Sequence, residues 1–289
     1  MPKKQVFIIF SVLVCFNVLA WIAVYDLSHQ DLRVVFFDVG QGDATLIKTP
    51  PGHHILIDGG PSSMVLEKLG QEMPFWNRNI DLVILTHPHY DHLAGLLEVL
   101  QNYQVKNVLW TGVLTSTLAF EKWQELLGDG QFDVHIAQAG QQIHSGQVML
   151  NILYPPENMQ NQRSSDLDDT STVVKVVFGE NSFLFTGDLS REAERELLEK
   201  GIDLDSDVLQ VGHHGSRTST DPEFIEAVLP DLAVISLGRD NKHGHPHQET
   251  LDTLESYGVA VLRTDWHGDI KISTDCQGRY LLNYQDYDI

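Results

Sequence analysis

Cysteine is scarce in this sequence, which contains two cysteines in 289 residues. Cys15 lies within an apolar N-terminal segment, so the rest of the chain has a single thiol, that of Cys276. This count excludes an internal disulfide in that part of the chain, and it also excludes a metal site built from cysteines.

Basic residues are also few, because 19 Lys and Arg stand against 40 Asp and Glu and the formal net charge is −21. Phosphate contacts dominate nucleic-acid affinity, so this charge argues against a broad nucleic-acid-binding surface. It does not exclude a nuclease, because bound divalent metals reverse the local charge. The sequence lacks repeats and low-complexity segments, and its hydrophobic content of 42% supports a full core.

A long apolar run occurs once, at residues 6–25, which carry no charge and follow a pair of lysines. This run is long enough to cross a bilayer as a helix. We predict a transmembrane signal anchor over residues 1–25, a linker over 26–31 and one domain over 32–289. The lysine pair places the anchor's start in the cytoplasm and the domain outside the cytoplasmic membrane. A cleaved signal peptide and a secreted domain are the alternative.

Beyond the linker, strand and helix patterns follow in a regular order, broken by a polar insertion at residues 157–169. The two halves each begin with strand hairpins and continue into strand–helix units. This order predicts an α/β fold with two sheets packed face to face and helices outside. The predicted strands are 33–39, 44–47, 54–58, 82–85, 108–110, 148–153, 172–178, 182–185, 208–211, 232–236, 260–262, 270–273 and 280–283. The predicted helices are 64–69, 93–100, 120–127, 190–200, 222–228 and 248–257.

Four metal-ligand types crowd one strand-to-helix loop, in an H-x-H-x-D-H motif made of His87, His89, Asp91 and His92. If the loop is extended, His87 and His89 point the same way, because they are two residues apart. Asp91 and His92 can turn toward a second point as the helix begins. The motif therefore predicts two cations a few ångströms apart, the arrangement used in metal-assisted hydrolysis.

A second motif, T-G-D, follows the predicted strand 182–185 and ends at Asp188. A carboxylate at a strand end can bridge two metals, since each of its oxygens can bind one. Aspartate is also a common helix N-cap, and Ser190 is a rival for that role here. Beside the first motif, the bridging interpretation of Asp188 is favoured.

Two later motifs are rich in histidine and again follow predicted strands. His213 and His214 are adjacent and face opposite sides of an extended chain, so one can bind metal while the other faces substrate. In the next motif His245 is favoured as a site residue, near the metals or the leaving group. His243 and His247 are interpreted as loop and helix-start residues.

The glycine-rich turn D-V-G-Q-G-D ends at Asp43, which follows two glycines suited to a tight turn. Asp43 could orient a ligating histidine, or it could be a polar cap of the turn, and the sequence leaves both open. His267 is interpreted as a turn residue. Surface or core positions are predicted for the other histidines, His29, His53, His54, His135 and His144.

Together these motifs resemble the metallo-β-lactamase fold superfamily, and within it the hydrolase domain of ComEC/Rec2 proteins. The closer resemblance rests on D-V-G-Q-G-D, G-H-H-G-S and N-x-x-G-H-P-H, in unbroken order over about residues 33–289. It implies an αββα metallo-β-lactamase-like sandwich, preceded here by one transmembrane helix. It also implies two divalent metal ions, usually zinc and sometimes manganese, at the sheet edge.

The resemblance also implies roles for individual residues. In a phosphorylcholine-esterase-like branch with similar spacing, the second histidine of the pair binds metal, which points to His214 as ligand and His213 as substrate contact. Asp91, His213 and His245 form the predicted catalytic set. The implied metal ligands are His87, His89, Asp91, His92, Asp188 and His214.

The chain departs from the superfamily pattern at two points. Many members have a histidine where this chain has Asp168 and Asp169, so Asp168 is an additional candidate ligand, as is Asp43. The metal site of His87 and His89 is accordingly expected to be the weaker one. The many channel helices of full ComEC proteins are missing, so this chain is not expected to form a DNA channel.

The favoured function is a membrane-anchored, extracytoplasmic two-metal phosphodiesterase or nuclease. Its predicted substrate is DNA or a smaller phosphoester, and the acidic composition favours a short or single-stranded one. A lactone, lactam or thioester hydrolase of the same fold is one alternative. A non-catalytic binding module that retains the fold is another. The sequence leaves any protein partner open.

Overall fold

The computed structural model of this chain describes residues 2–28, 31–129 and 132–285. The chain divides into two units, Met1–Asp31 and Leu32–Ile289.

The first unit contains one long helix, α1, Lys3–Ser28. Its first 19 residues have a mean hydropathy of 1.9 and are long and apolar enough to cross a membrane. The polar side chain of Asn17 is satisfied within the helix, because its amide donates to the Leu13 carbonyl 3.0 Å away. Residues 26–28 of the predicted linker belong to α1, and residues 29–30, which include His29, lie outside the described residues.

The second unit contains two sheets and seven helices, counted over the described parts of the chain. The strands are β1 Leu32–Phe36, β2 Thr45–Lys48, β3 His54–Ile57, β4 Asn79–Ile84, β5 Gln104–Trp110, β6 Asp133–Ile136, β7 Gln142–Ser145, β8 Val148–Tyr154, β9 Val173–Phe178, β10 Asn181–Phe185, β11 Val208–Gln210, β12 Leu232–Ile235, β13 Ala260–Arg263, β14 Ile270–Thr274 and β15 Tyr280–Asn283. The helices are α2 Met64–Glu72, α3 Tyr90–Asn102, α4 Leu118–Gly128, α5 Arg191–Glu199, α6 Pro222–Val228, α7 Gln248–Ser256 and α8 Thr264–His267. The first sheet has the order β15-β14-β1-β2-β3-β4-β5-β6, and the second has the order β13-β12-β11-β10-β9-β8-β7.

Alternating side chains divide the core into three layers. On β1, Val34 and Phe36 enter the layer between the sheets, where Phe36 stacks on Phe185 of β10 with ring centroids 5.9 Å apart. Val35 of β1 points the other way, into a layer formed with helices α2, α3 and α4. Helices α5, α6 and α7 form the matching layer with the second sheet. The predicted α/β sandwich with helices outside is confirmed.

Two strands, β6 and β7, were not predicted from the sequence. Both are short edge strands whose side chains are mostly exposed or half-buried. Edge strands need few apolar residues, so their alternation is weak and the hydrophobic pattern misses them.

Strand direction brings the polar loops together at one end of the sandwich. Strands β1, β3, β4 and β5 run parallel to one another, as do β10, β11 and β12. We call the end where these strands have their carboxyl ends the site edge, and the opposite end the base edge. The loops that follow β1, β3, β4, β10, β11 and β12 all lie at the site edge.

Candidate metal centre

The H-x-H-x-D-H motif forms the loop from β4 to α3, as the sequence predicts. His87 is fully buried, and its Nε2 lies 3.0 Å from Nδ1 of His89, the extended N-cap residue of α3. Asp91 and His92 lie in the first turn of α3, so they point to a different place. The motif therefore presents its four side chains as two pairs.

Asp188 follows β10 and lies between these two pairs. Its Oδ2 is 3.8 Å from Nε2 of His87, and its Oδ1 is 3.3 Å from Nε2 of His92. Oδ2 is also 3.6 Å from Nε2 of His214. Ser190, rather than Asp188, caps helix α5, because its side chain accepts from the backbone N–H of Ala193. The carboxylate of Asp188 is thus free to face both groups of histidines.

Asp168 comes from a short 3-10 turn in the polar insertion and reaches the first pair. Its Oδ1 lies 2.9 Å from Nδ1 of His89 and 3.6 Å from Nε2 of His87. His87, His89, Asp168 and Asp188 each place one donor atom within 4.8 Å of the others.

A second group, Asp91, His92 and His214, meets the same distance criterion, and Asp188 borders it. Nε2 of His214 lies 3.3 Å from Oδ2 of Asp91. The centre therefore consists of two adjacent donor groups that share one carboxylate.

Several buried atoms of this centre lack a hydrogen bond. They are Nε2 of His92, Nε2 of His214, Oδ1 of Asp168 and Oδ1 of Asp188, whose short contacts within the centre do not have hydrogen-bond geometry. Buried polar atoms in folded proteins nearly always have a partner, and these four all belong to the two donor groups. Imidazole and carboxylate donors suit zinc and other divalent transition metals. The residues present thus fit a two-metal centre.

Asp58 holds His92 from the side opposite the centre. Its Oδ2 accepts from Nδ1 of His92 at 2.8 Å and from the hydroxyl of Thr86, and its Oδ1 accepts from the backbone N–H of Thr86. Asp58 follows β3 with a left-handed backbone, φ 57°. Sequence reasoning missed this residue, and the only signal was an aspartate before two glycines at a strand end.

Asp43 plays the corresponding part for His214. Its Oδ1 lies 3.3 Å from Nδ1 of His214, and its Oδ2 accepts from the Gln210 side-chain amide at 2.6 Å. Nδ1 of His214 also lies 2.9 Å from the carbonyl of Ser236. Of the two predicted roles, this placement favours that of an orienting residue.

The carboxylates around the centre favour the protonated form of two buried histidines. Burial by itself would lower the pKa of His92, but the charges of Asp188 and Asp58 raise it well above its usual value. Burial likewise opposes charge on His214, yet Asp188 and Asp43 raise its pKa well above the usual value. Divalent cations would offset the negative charge of these carboxylates in the same way. The charge of the site is thus a second reason why it fits metal ions.

The adjacent histidines do not lie on an extended chain, so that part of the prediction is wrong. His213 and His214 both have left-handed backbones, φ 50° and 54°, in a 3-10 turn bounded by glycines. Gly215 permits this turn, since a Cβ there would lie 2.6 Å from Pro246. The turn buries His214, whereas His213 keeps 28% of its side chain exposed, with Nδ1 3.6 Å from Oδ2 of Asp168.

His245 lies at the rim of the centre and outside both donor groups. Its ring centroid is 5.7 Å from that of His213 and 6.3 Å from that of His214. Burial and the charges of these two histidines lower the pKa of His245 to about 4. His247 is the N-cap residue of α7, which confirms the helix-start prediction.

A family model described as the metallo-beta-lactamase superfamily matches residues 37–148 and 167–239, which carry both donor groups. The chain belongs to the metallo-beta-lactamase superfamily.

Its curated relatives include competence and recombination proteins, which confirms the resemblance to ComEC/Rec2. ComE operon protein 3 of Bacillus subtilis (strain 168) is 30% identical, over 89% of this chain and 35% of the relative. Recombination protein 2 of Haemophilus influenzae is 32% identical, over 91% of this chain and 31% of the relative. The chain thus spans about a third of the length of these relatives.

Among solved structures, the metallo-beta-lactamase fold protein YhfI of Bacillus subtilis has a TM-score of 0.58 and 15% identity. The match covers 85% of this chain and 100% of YhfI. At this identity the likeness shows the shared fold.

The other histidines in the described parts of the chain lie outside both donor groups. His54 is buried on β3, and His53 and His135 bond to Ser145 and Asn107. Nδ1 of His267 accepts from the backbone N–H of Arg263 in the turn of α8. These placements agree with the surface, core and turn interpretations.

Proposed function

We propose that this chain is a two-metal phosphodiesterase or nuclease, anchored in the cytoplasmic membrane by α1 with its second unit on the outer side. The observation that carries the proposal is the position of Asp188 between two donor groups. One group, His87, His89 and Asp168, would hold the first ion, and Asp91, His92 and His214 would hold the second. Zinc is the favoured metal, and manganese is compatible with the same donors.

The chemistry divides between ions and side chains. When bound, two divalent ions would lower the pKa of water and offset charge developing on the phosphoryl oxygens. His213 is half-exposed, and its Nε2 lies 4.0 Å from Oδ2 of Asp188, so it can donate to a substrate oxygen at the centre. Asp58 and Asp43 fix the ring orientation of His92 and His214. His245 lines the rim on the side of His213.

The choice of a phosphodiester rests on the relatives. Proteins named Recombination protein 2 and Competence protein ComA match most of this chain, and recombination is a reaction of DNA. The formal charge of −21 disfavours long duplex contacts, so a short or single-stranded substrate is proposed.

The proposal is tested with bis-p-nitrophenyl phosphate and a single-stranded oligonucleotide as substrates. Asp188→Ala should lower metal-dependent cleavage by at least about 100-fold, because both ions lose a shared ligand. Asp205→Ala is the matched control, since Asp205 is exposed in a loop at the base edge. Circular dichroism should show both variants folded.

Three outcomes would contradict the proposal. Full activity of Asp188→Ala would rule out the bridging role of this carboxylate. Cleavage of a lactone, nitrocefin or a thioester without cleavage of either phosphodiester would favour the alternative hydrolase. A metal content well below one equivalent would favour a non-catalytic module.

A further inference from the structure

An exposed aromatic pair lies far from the metal centre, in the loop between α2 and β4. Phe75 and Trp76 are 86% and 75% exposed, although their rings contact each other edge to face with centroids 4.8 Å apart. Elsewhere in the described second unit, large apolar side chains are this exposed only at Leu118 and Leu281, and neither belongs to a pair of contacting aromatic rings. We call Phe75 and Trp76 the aromatic pair.

The pair lies at the base edge, where the second unit begins. Its loop leads into the amino end of β4, and Leu32 opens β1, which runs parallel to β4. Three strand spacings separate β1 from β4, about 15 Å. The aromatic pair and the start of the domain therefore share one end of the first sheet.

The composition of this loop differs from that of the chain as a whole. The chain has 40 acidic residues, but none lies in residues 73–80, whose one charged side chain is that of Arg78. The guanidinium of Arg78 lies 5.8 Å from the ring centroid of Tyr103. Exposed aromatic rings beside a basic residue are typical of segments that contact the headgroup region of a bilayer.

We propose that the aromatic pair inserts into the headgroup region of the membrane in which α1 is anchored. The inference rests on the membrane anchor of the proposed function. Residues 29–31 alone separate Ser28, the last residue of α1, from Leu32, and four peptide steps reach at most about 14 Å. If α1 spans the bilayer, the start of β1 therefore stays within about 14 Å of the end of that helix.

The experiment uses the full chain in phosphatidylcholine nanodiscs, with lipids brominated near the headgroup or left unbrominated. Bromine quenches tryptophan emission at short range, and single Trp→Phe variants assign the emission to each residue. The difference in emission between the wild type and Trp76→Phe belongs to Trp76. This emission should be quenched by about half in brominated discs, because the ring would lie at the interface. Trp266→Phe is the matched control, since Trp266 is 40% exposed in α8, after the carboxyl end of β13. The emission of Trp266 should not be quenched.

Trp21, within α1, separates failure of this inference from failure of the anchor. If the Trp21 emission is quenched and that of Trp76 is not, membrane docking by the aromatic pair is wrong and the anchor stands. If neither is quenched, both fail. Docking of a protein partner at this loop would leave Trp76 unquenched and would equally overturn the inference.

Discussion

Asp58 shows how one buried side chain can orient a candidate metal ligand from outside both donor groups. It accepts from Nδ1 of His92, so the proton stays on Nδ1 and Nε2 faces the centre. Its other contacts, to the backbone N–H and hydroxyl of Thr86, fix the carboxylate itself. Such supporting carboxylates raise the basicity of the ligating imidazole.

We expect Asp58→Asn to weaken metal binding by about 10–100-fold, because the amide carries no charge to support the His92 ring. Zinc affinity measured by competition with a chelator would show the change. Asp81→Asn is the control, since Asp81 also accepts a backbone N–H, that of His54, but lies near the base edge. Equal affinity of Asp58→Asn and the wild type would contradict this role.

At the residue scale, spacing in the sequence identified the candidate metal ligands but not the residues that orient them. His87, His89 and Asp91 lie in one motif, whereas Asp58 and His92 are 34 positions apart. No spacing in the sequence links that pair, because their contact depends on how β3 lies beside β4. Asp168 was recognised only because a histidine was expected in its place.

Helix α3 approaches the turn after β3 so closely that two glycines are required. A Cβ on Gly95 would lie 1.8 Å from the carbonyl oxygen of Gly59, a backbone atom that cannot move aside cheaply. Backbone hydrogen bonds join the same elements, from Gly59 to the His92 carbonyl and from Gly95 to the Gly60 carbonyl. This contact brings Asp58 within reach of His92.

Gly95→Ala should therefore destabilise the protein by about 3 kcal/mol, because α3 has to move away from the turn. Gly70→Ala is the matched control: Gly70 lies inside α2, and a Cβ there meets nothing within 4 Å. That change should stabilise the protein by up to about 1 kcal/mol through helix propensity. Thermal unfolding of both variants would test the pair, and similar Tm values would refute the close contact.

At the element scale, the sequence pattern predicted most helices and strands with their order. It failed where tertiary contacts replace hydrophobic alternation. Strands β6 and β7 pair at the sheet edges with few apolar side chains. The turn of His213 and His214 needs two left-handed residues in succession. A pair of histidines in the sequence does not indicate this backbone conformation.

On the scale of the whole molecule, the candidate metal centre lies between the two sheets. His87, His89, Asp91 and His92 follow a strand of the first sheet, while Asp188 and His214 follow strands of the second. Ions bound between them would link the two layers. Because an unfolded chain offers no such site, binding free energy adds to the stability of the fold.

Removal of metal should accordingly lower the Tm of the full chain in detergent. At a free zinc concentration of 100 times the Kd, the stabilisation is about 2.7 kcal/mol per site. Differential scanning calorimetry with zinc and with a chelator would measure it. Asp188→Ala should respond much less, and a wild-type Tm that is independent of metal would contradict the coupling.

The pairing of β1 with β14 has a consequence for how the protein is made. Leu32 and Phe36 of β1 lie opposite Thr274 and Ile270 of β14, so the first sheet remains open until residues 270–274 have been synthesised. All the proposed ligands precede that point. A chain that ends between His214 and Ile270 would carry every proposed ligand but leave the edge of β1 unpaired, and that edge could pair with other chains.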